Sequence, residues 1–170
     1  GVYIENYPSG RIKREYTFAN GTLNGACREY YASGIIERES TMQNGLENGI
    51  SKNYHQSGQL KGEAQFRNGE KHGPTKLYYE RGSLRSLMNF ENGKVVGNQQ
   101  VFYESGQVEV EVAFRDGIKH GPIRQYYETG NLKMMGEFRA GQLEGEVVNY
   151  YESGRVKERL MFRNGRIIER

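Results

Sequence analysis

The sequence predicts an all-β chain, an elongated single-layer antiparallel β-meander built from 24-residue hairpin units. Three observations carry this expectation: glycine recurs every 24 residues in three registers without an insertion, turn-forming Asn-Gly pairs fall in one of those registers, and apolar and polar residues alternate between them. The registers are Gly10, Gly34, Gly58, Gly82, Gly106, Gly130 and Gly154; Gly21, Gly45, Gly69, Gly93, Gly117, Gly141 and Gly165; and Gly1, Gly25, Gly49, Gly73, Gly97, Gly121 and Gly145. A period this constant requires every unit to sit on its neighbour in the same way.

Each unit holds two strand-like stretches and two different turns. In the third, "ISKNYHQSG" leads through Ser57-Gly58 into "QLKGEAQF", and "RNGEKHG" follows. Alternation in the second stretch places Leu60, Ala64 and Phe66 on one face and Lys61, Glu63 and Gln65 on the other. Asn20-Gly21, Asn44-Gly45, Asn68-Gly69, Asn92-Gly93, Asn164-Gly165 and the variant Asp116-Gly117 predict tight reversals, because these residues tolerate positive φ. Pro8, Pro74 and Pro122 fall at turns or strand starts, where a missing amide donor costs least. Strands about 4.8 Å apart advance such a sheet by about 10 Å per unit, or on the order of 65 Å for seven. No linker or low-complexity tract interrupts the pattern. Residues 1–170 read as a single array of about seven units, and the phases of Gly1 and Arg170 suggest a piece of a longer array.

Three apolar columns follow the period. Phe18, Phe66, Phe90, Phe114, Phe138 and Phe162, with Met42 once, form the first; Tyr30, Tyr54, Tyr78, Phe102, Tyr126 and Tyr150 the second; Ile12, Ile36, Leu60, Leu84, Val108, Leu132 and Val156 the third. Burial of each large side chain is worth about 1.5–3 kcal/mol, so these read as packing ladders. One residue further on stands a second tyrosine row, Tyr7, Tyr31, Tyr79, Tyr103, Tyr127 and Tyr151. Alternation sends it to the other side of the strand. It either closes over the turn glycines or forms an exposed stripe suited to partner recognition.

Composition narrows the function. The net charge of +3 comes from 24 basic and 21 acidic residues interspersed along the chain, which disfavours nucleic acid and gives an anionic membrane surface little to attract. Mean hydropathy is −0.85, and no apolar run approaches the roughly 20 residues that span a bilayer. A single cysteine, Cys27, excludes an internal disulfide and points weakly to a reducing, cytoplasmic compartment, with export left open. No cofactor or metal is expected. His72 and His120 occupy equivalent "KHGP" turns two units apart, and His55 stands elsewhere, so the histidines do not converge. The carboxylates Glu15, Glu39, Glu63 and Glu111, with bases at Lys13, Lys61, Arg85, Lys133 and Lys157, read as cross-strand ion pairs on a solvated face. Arg28, Lys52, Lys76 and Arg124 form a basic row broken by Gln100. From the fourth unit on, Leu87, Met88, Val110, Met134 and Met135 replace polar residues, and Leu87 and Met135 are candidate contacts for a protein partner.

"YYASG", "YYERG", "FYESG", "YYETG" and "YYESG", each followed by an apolar residue, a charged residue and later "F-x-N-G", resemble membrane occupation and recognition nexus (MORN) repeats. More narrowly they are similar to the bacterial variant in YwqK-family antitoxins, because the glycine falls three residues after the second tyrosine. The resemblance implies hairpin repeats used for scaffolding, partner binding or self-association, without catalysis. MORN repeats also accompany a phosphatidylinositol phosphate kinase, but the chain lacks the glycine loop, lysine and aspartates of a kinase. The expectation is a noncatalytic scaffold for an unidentified protein partner, antitoxin-like in one instance. Its partner-binding candidates are Tyr31, Tyr79, Tyr103, Tyr127, Tyr151, Leu87 and Met135. The competing expectation is an envelope or surface module that self-associates through its terminal strands.

Overall fold

The computed structural model describes residues 1–169 and is all strand and turn. It divides into two compact units, residues 1–83 with 90–93, and residues 84–89 with 94 onward. The first unit contains β1 (Val2–Asn6), β2 (Ile12–Ala19), β3 (Thr22–Tyr30), β4 (Ile36–Gln43), β5 (Leu46–Glu47), β6 (Gly49–Tyr54), β7 (Leu60–Arg67) and β8 (Glu70–Tyr78). β9 (Leu84–Glu91) gives most of its length to the second unit. That unit continues with β10 (Lys94–Phe102), β11 (Val108–Arg115), β12 (Ile118–Tyr126), β13 (Leu132–Arg139), β14 (Gln142–Leu143), β15 (Gly145–Tyr150), β16 (Val156–Arg163) and β17 (Arg166–Glu169). Within each unit the strands pair antiparallel with their neighbours, as the alternation predicts, β5 and β6 both lying against β4 and β14 and β15 both against β13.

Positive φ explains all three glycine registers. At the Asn-Gly turns both residues are left-handed, with φ 50° and 77° at Asn20 and Gly21, which is the two-residue hairpin whose twist matches the strands. Ala140-Gly141 makes the same turn with alanine at φ 50°, where no Asn or Asp marks it in the sequence. The opposite turns are longer. Tyr31 O accepts from Gly34 N–H at 2.8 Å, and Tyr31 N–H donates to Ile35 O at 2.9 Å, closing a turn completed by a left-handed glycine. The third register lies inside strands. There Gly25 has φ 118° and stands opposite Met42, while Gly49, Gly97, Gly121 and Gly145 stand opposite Phe66, Phe114, Phe138 and Phe162. The bulky side chain compensates the missing one across the ladder.

Two expectations need correction. Register shifts by one residue at the first tyrosine column in hairpin after hairpin, between Glu29 and Tyr30, Asn53 and Tyr54, Gln125 and Tyr126, and Asn149 and Tyr150. The bulge interrupts simple alternation, so Leu60 pairs with Tyr54 while Ala64 and Phe66 pair with Ser51 and Gly49. The aromatic columns are also not the deepest part of the packing. They are half-buried, and the deepest side chains lie mid-strand: Cys27, Ser51 and Thr75 in the first unit and Val112, Ile123 and Val147 in the second on one face, with Val148 on the other. A single sheet shields its middle row best, because flanking side chains lean over it from both edges.

Candidate protein-binding surface

On the other face the cross-strand register builds a charge ladder. In the first unit Glu15 stands opposite Arg28, Arg28 opposite Glu39, Glu39 opposite Lys52, Lys52 opposite Glu63, and Glu63 opposite Lys76. Ion pairs close at 3.4 Å for Arg28–Glu15, 3.9 Å for Lys52–Glu39 and 3.1 Å for Lys76–Glu63. The first tyrosine column completes each rung: Tyr30 OH donates to Glu15 at 3.2 Å, Tyr54 OH to Glu39 at 2.5 Å and Tyr78 OH to Glu63 at 3.3 Å. Burial first, then the neighbouring carboxylate, pushes these phenols above their usual range, Tyr54 to about 12. The partners of this carboxylate column are thus the Arg28 row rather than the Lys13 row assigned from spacing. Lys13 instead pairs with Glu5 at 2.7 Å.

The second unit starts the same ladder and then loses it. Gln100 donates to Glu111 at 2.8 Å, Tyr126 OH donates to Glu111 at 3.3 Å, and Arg124 stands opposite Glu111. The next residue across is Met135, followed by Val148 and then Arg159. Met135 therefore holds a glutamate position, 41% exposed, with Tyr150 OH 3.2 Å from its sulfur. Arg159 turns to Glu146 at 2.9 Å. Leu87 holds the equivalent glutamate position by the 24-residue period and is half-buried. Val110 and Met134 belong to the opposite face, each paired with Gln125, so the five apolar departures seen in the sequence do not make one patch.

In the second tyrosine row Tyr7, Tyr31, Tyr103 and Tyr127 have their hydroxyls committed within the chain. Tyr7 donates to Tyr30 O at 2.6 Å, Tyr31 to Tyr54 O at 2.7 Å, Tyr103 to Tyr126 O at 2.8 Å, and Tyr127 to Tyr150 O at 2.8 Å. Each bond spans one period less one residue and ties a turn to the next repeat. Lys13 sits 5.9 Å from the Tyr7 ring centre and Lys133 5.5 Å from that of Tyr127, covering the aromatic faces. Tyr31, Tyr79, Tyr103 and Tyr127 are half-buried, while Tyr151 is 49% exposed. Sequence reading left this row either closing over the turn or exposed, because the partner that decides between them is a backbone carbonyl, which carries no residue signature. The opposite edge has its own clasp: Gly45 N–H donates to Leu23 O at 2.8 Å, Gly117 to Val95 O at 2.9 Å and Gly141 to Lys119 O at 2.9 Å.

On the buried face the small side chains of the first unit leave a cleft of about 230 Å³ bordered by Arg38, Ser51, Asn53, Lys61, Thr75 and Leu77. It gathers no nucleophile with an adjacent base. Among the described residues no group of three or more His, Cys, Asp or Glu is placed to hold a metal ion. Cys27 is free and 7% exposed, with its thiol pushed up chiefly by burial. Among the described residues no helix is long and apolar enough to cross a membrane.

No curated protein matches the chain. The family model of the MORN repeat variant matches six consecutive segments, residues 23–44, 47–68, 71–94, 95–116, 119–140 and 143–164. Each segment spans a strand, the tyrosine-headed turn and the returning strand, which is the hairpin unit of the structure. The period, the two clasped turns and this coverage agree: the chain belongs to the MORN repeat variant family, whose arrays are noncatalytic protein-interaction modules.

Proposed function

We propose that the chain is a protein-binding scaffold whose partner docks where the charge ladder fails. The observation carrying this reading is Met135: an exposed apolar side chain in a glutamate position, between Arg124 and the Val148–Arg159 end of the same row. Every intact rung satisfies its own charges and offers a partner little energy. The broken rung offers apolar area beside Arg124, suited to an apolar side chain flanked by carboxylates. Leu87 supplies a second apolar replacement in the same row. An antitoxin that holds a toxin on this surface is the specific case suggested by the resemblance to YwqK-family proteins. Within the array the 1–170 chain acts as one run of repeats.

The test compares capture by the immobilised chain with capture by Met135→Glu and Leu87→Glu, which rebuild the ladder. A partner lost from Met135→Glu at unchanged unfolding midpoint supports the reading, and equal retention by both variants refutes it. For the antitoxin case, co-expression with the product of a neighbouring toxin gene should restore growth in the unaltered chain and fail with Met135→Glu.

A further inference from the structure

Small residues on three adjacent strands make the floor of the cleft in the first unit. Across β6 and β7, Ser51 stands opposite Ala64 and Asn53 opposite Gly62; across β7 and β8, Ala64 stands opposite Thr75 and Gly62 opposite Leu77. In every other repeat at least one of the two β7 positions carries a larger side chain, as in Arg38 with Ser40 or Met134 with Gly136. Only β7 is cut back at both. The glycine is enforced there, because a Cβ at Gly62 would stand 2.8 Å from Leu77 Cδ2 and 3.1 Å from the Lys76 carbonyl oxygen. The volume left is about 230 Å³. At ~30 Å³ for each water-sized group it takes a compact molecule of about seven or eight such groups.

The floor is also unfinished in its hydrogen bonding. Thr75 borders the cleft at 3% exposure, and its Oγ1 is buried without a partner among the described residues. An unpaired buried hydroxyl weakens a fold. This fold does not require one, since the same place in later repeats is taken by Ile123 and Val147, which are also buried. Arg38 gives Nη2 to both Glu47 oxygens at 2.8 Å, while its Nε–H is buried and unpaired. Lys61 and Lys71 stand on the rim. The carboxylates nearby do not balance them: Glu47 is held by Arg38 and Glu63 by Lys76, which leaves Glu37. Guanidinium and ammonium groups donate and cannot accept. The unsatisfied groups of the cleft are therefore donors in a positive surround.

We propose that this cleft binds a small organic acid. Its carboxylate accepts from the Thr75 hydroxyl in the field of Lys61, Lys71 and Arg38, and its short apolar body lies against Ala64 and Leu77. A charged acceptor forms the stronger kind of hydrogen bond with a buried donor, and the volume limits the body to about one ring. The acid is held rather than transformed, because no nucleophile with an adjacent base lines the cleft. The site is independent of the Met135 surface: the cleft belongs to the first unit, on the face away from the charge ladder, and Met135 to the second, in the ladder's own row.

The probe is benzoate, one ring with one carboxylate, titrated into the full chain at neutral pH and followed by heteronuclear NMR. Saturable shifts should gather on β6, β7 and β8, and benzyl alcohol, of the same shape without the charge, should bind at least about tenfold more weakly. Thr75→Val should lower benzoate affinity about 5–10-fold while the thermal midpoint stays level or rises. Ala64→Val restores the side chain that Val112 carries two repeats on and fills the cleft, lowering affinity about tenfold or more. Lys61→Gln should lower it about 2–5-fold and flatten its salt dependence. If Ala64→Val proves unfolded by circular dichroism, the other two variants decide. Absence of saturable shifts at about 10 mM benzoate, equal binding of benzyl alcohol, or unchanged affinity in both Thr75→Val and Lys61→Gln overturns the proposal. Binding of the glutamate side chain of an acetylated, amidated peptide with benzoate inert overturns the free acid as occupant.

Discussion

Replacing Tyr103 with phenylalanine keeps the ring, its packing and its place over the turn, and removes only the hydroxyl that donates to Tyr126 O at 2.8 Å. The carbonyl left behind is half-buried, so the cost is that of one net hydrogen bond, about 0.5–1.5 kcal/mol. For a chain of this size each kilocalorie shifts the midpoint by roughly 2–4 °C, placing the expected loss at about 1–6 °C. Tyr151→Phe supplies the internal control, because no described carbonyl lies one period ahead of Tyr151. At a dilution where the chain is monomeric it should be neutral. Thermal and urea unfolding of both variants, followed by far-UV circular dichroism, reads the difference. Equal losses for Tyr103→Phe and Tyr151→Phe, or none for either, would refute the clasp. The distinction also governs binding experiments. A serine at Tyr79, Tyr103 or Tyr127 removes the ring along with the hydroxyl, adding cavity costs on the order of 3–5 kcal/mol for a well-packed aromatic, and would mimic lost binding through lost folding.

Other consequences are as direct. Ala140 sits at φ 50° in a turn where its counterparts are Asn or Asp; Ala140→Asn should raise stability by about 0.5–1 kcal/mol, and a lower midpoint would contradict the strain assigned to it. Gly25→Ala, at φ 118° with the new Cβ 3.0 Å from Thr17 Cγ2, should cost about 1–3 kcal/mol, more than Gly97→Ala, which has φ 69° and open space around the new atom. Burial, reinforced by Glu29 for Tyr16 and by Glu39 for Tyr54, pushes both phenols up to about 12. Because these folded values lie above the unfolded one near 10, their contribution is complete below about pH 10 and is lost as pH rises toward 12. Alkaline titration of Tyr16→Phe and Tyr54→Phe should show a shallower stability decline than the unaltered chain; parallel curves would count against the Tyr–Glu pairs.

What the sequence revealed and what it concealed divide along chemical lines. Turn positions were legible because Asn20-Gly21 and its repeats name their own backbone conformation, and only Ala140 hid a turn behind an ordinary residue. The periodicity located the aromatic columns but not their depth. Cys27, Ser51 and Thr75 are more buried than the rings, an outcome set by position in the sheet rather than by hydrophobicity. Leu60 was misplaced because a bulge, invisible in composition, shifts the register at Tyr54. Leu87 and Met135 stood out as breaks in a polar pattern. Their meaning emerged only when cross-strand register showed that Met135 takes a glutamate's place beside Arg124, opposite Val148. The pattern left the second tyrosine row either closing over its turn or exposed, and could not name the clasp's acceptor, since that partner is main chain.

On the proposed reading Met135 faces a partner, whereas the Tyr103 hydroxyl serves the chain itself. Affinity for the captured partner should therefore be measured for Met135→Glu and Tyr103→Phe side by side, at a temperature where both are folded. The account predicts at least about a tenfold loss for Met135→Glu, the scale of a central interface contact, and unchanged affinity for Tyr103→Phe. Loss confined to Tyr103→Phe, with Met135→Glu binding normally, would contradict it.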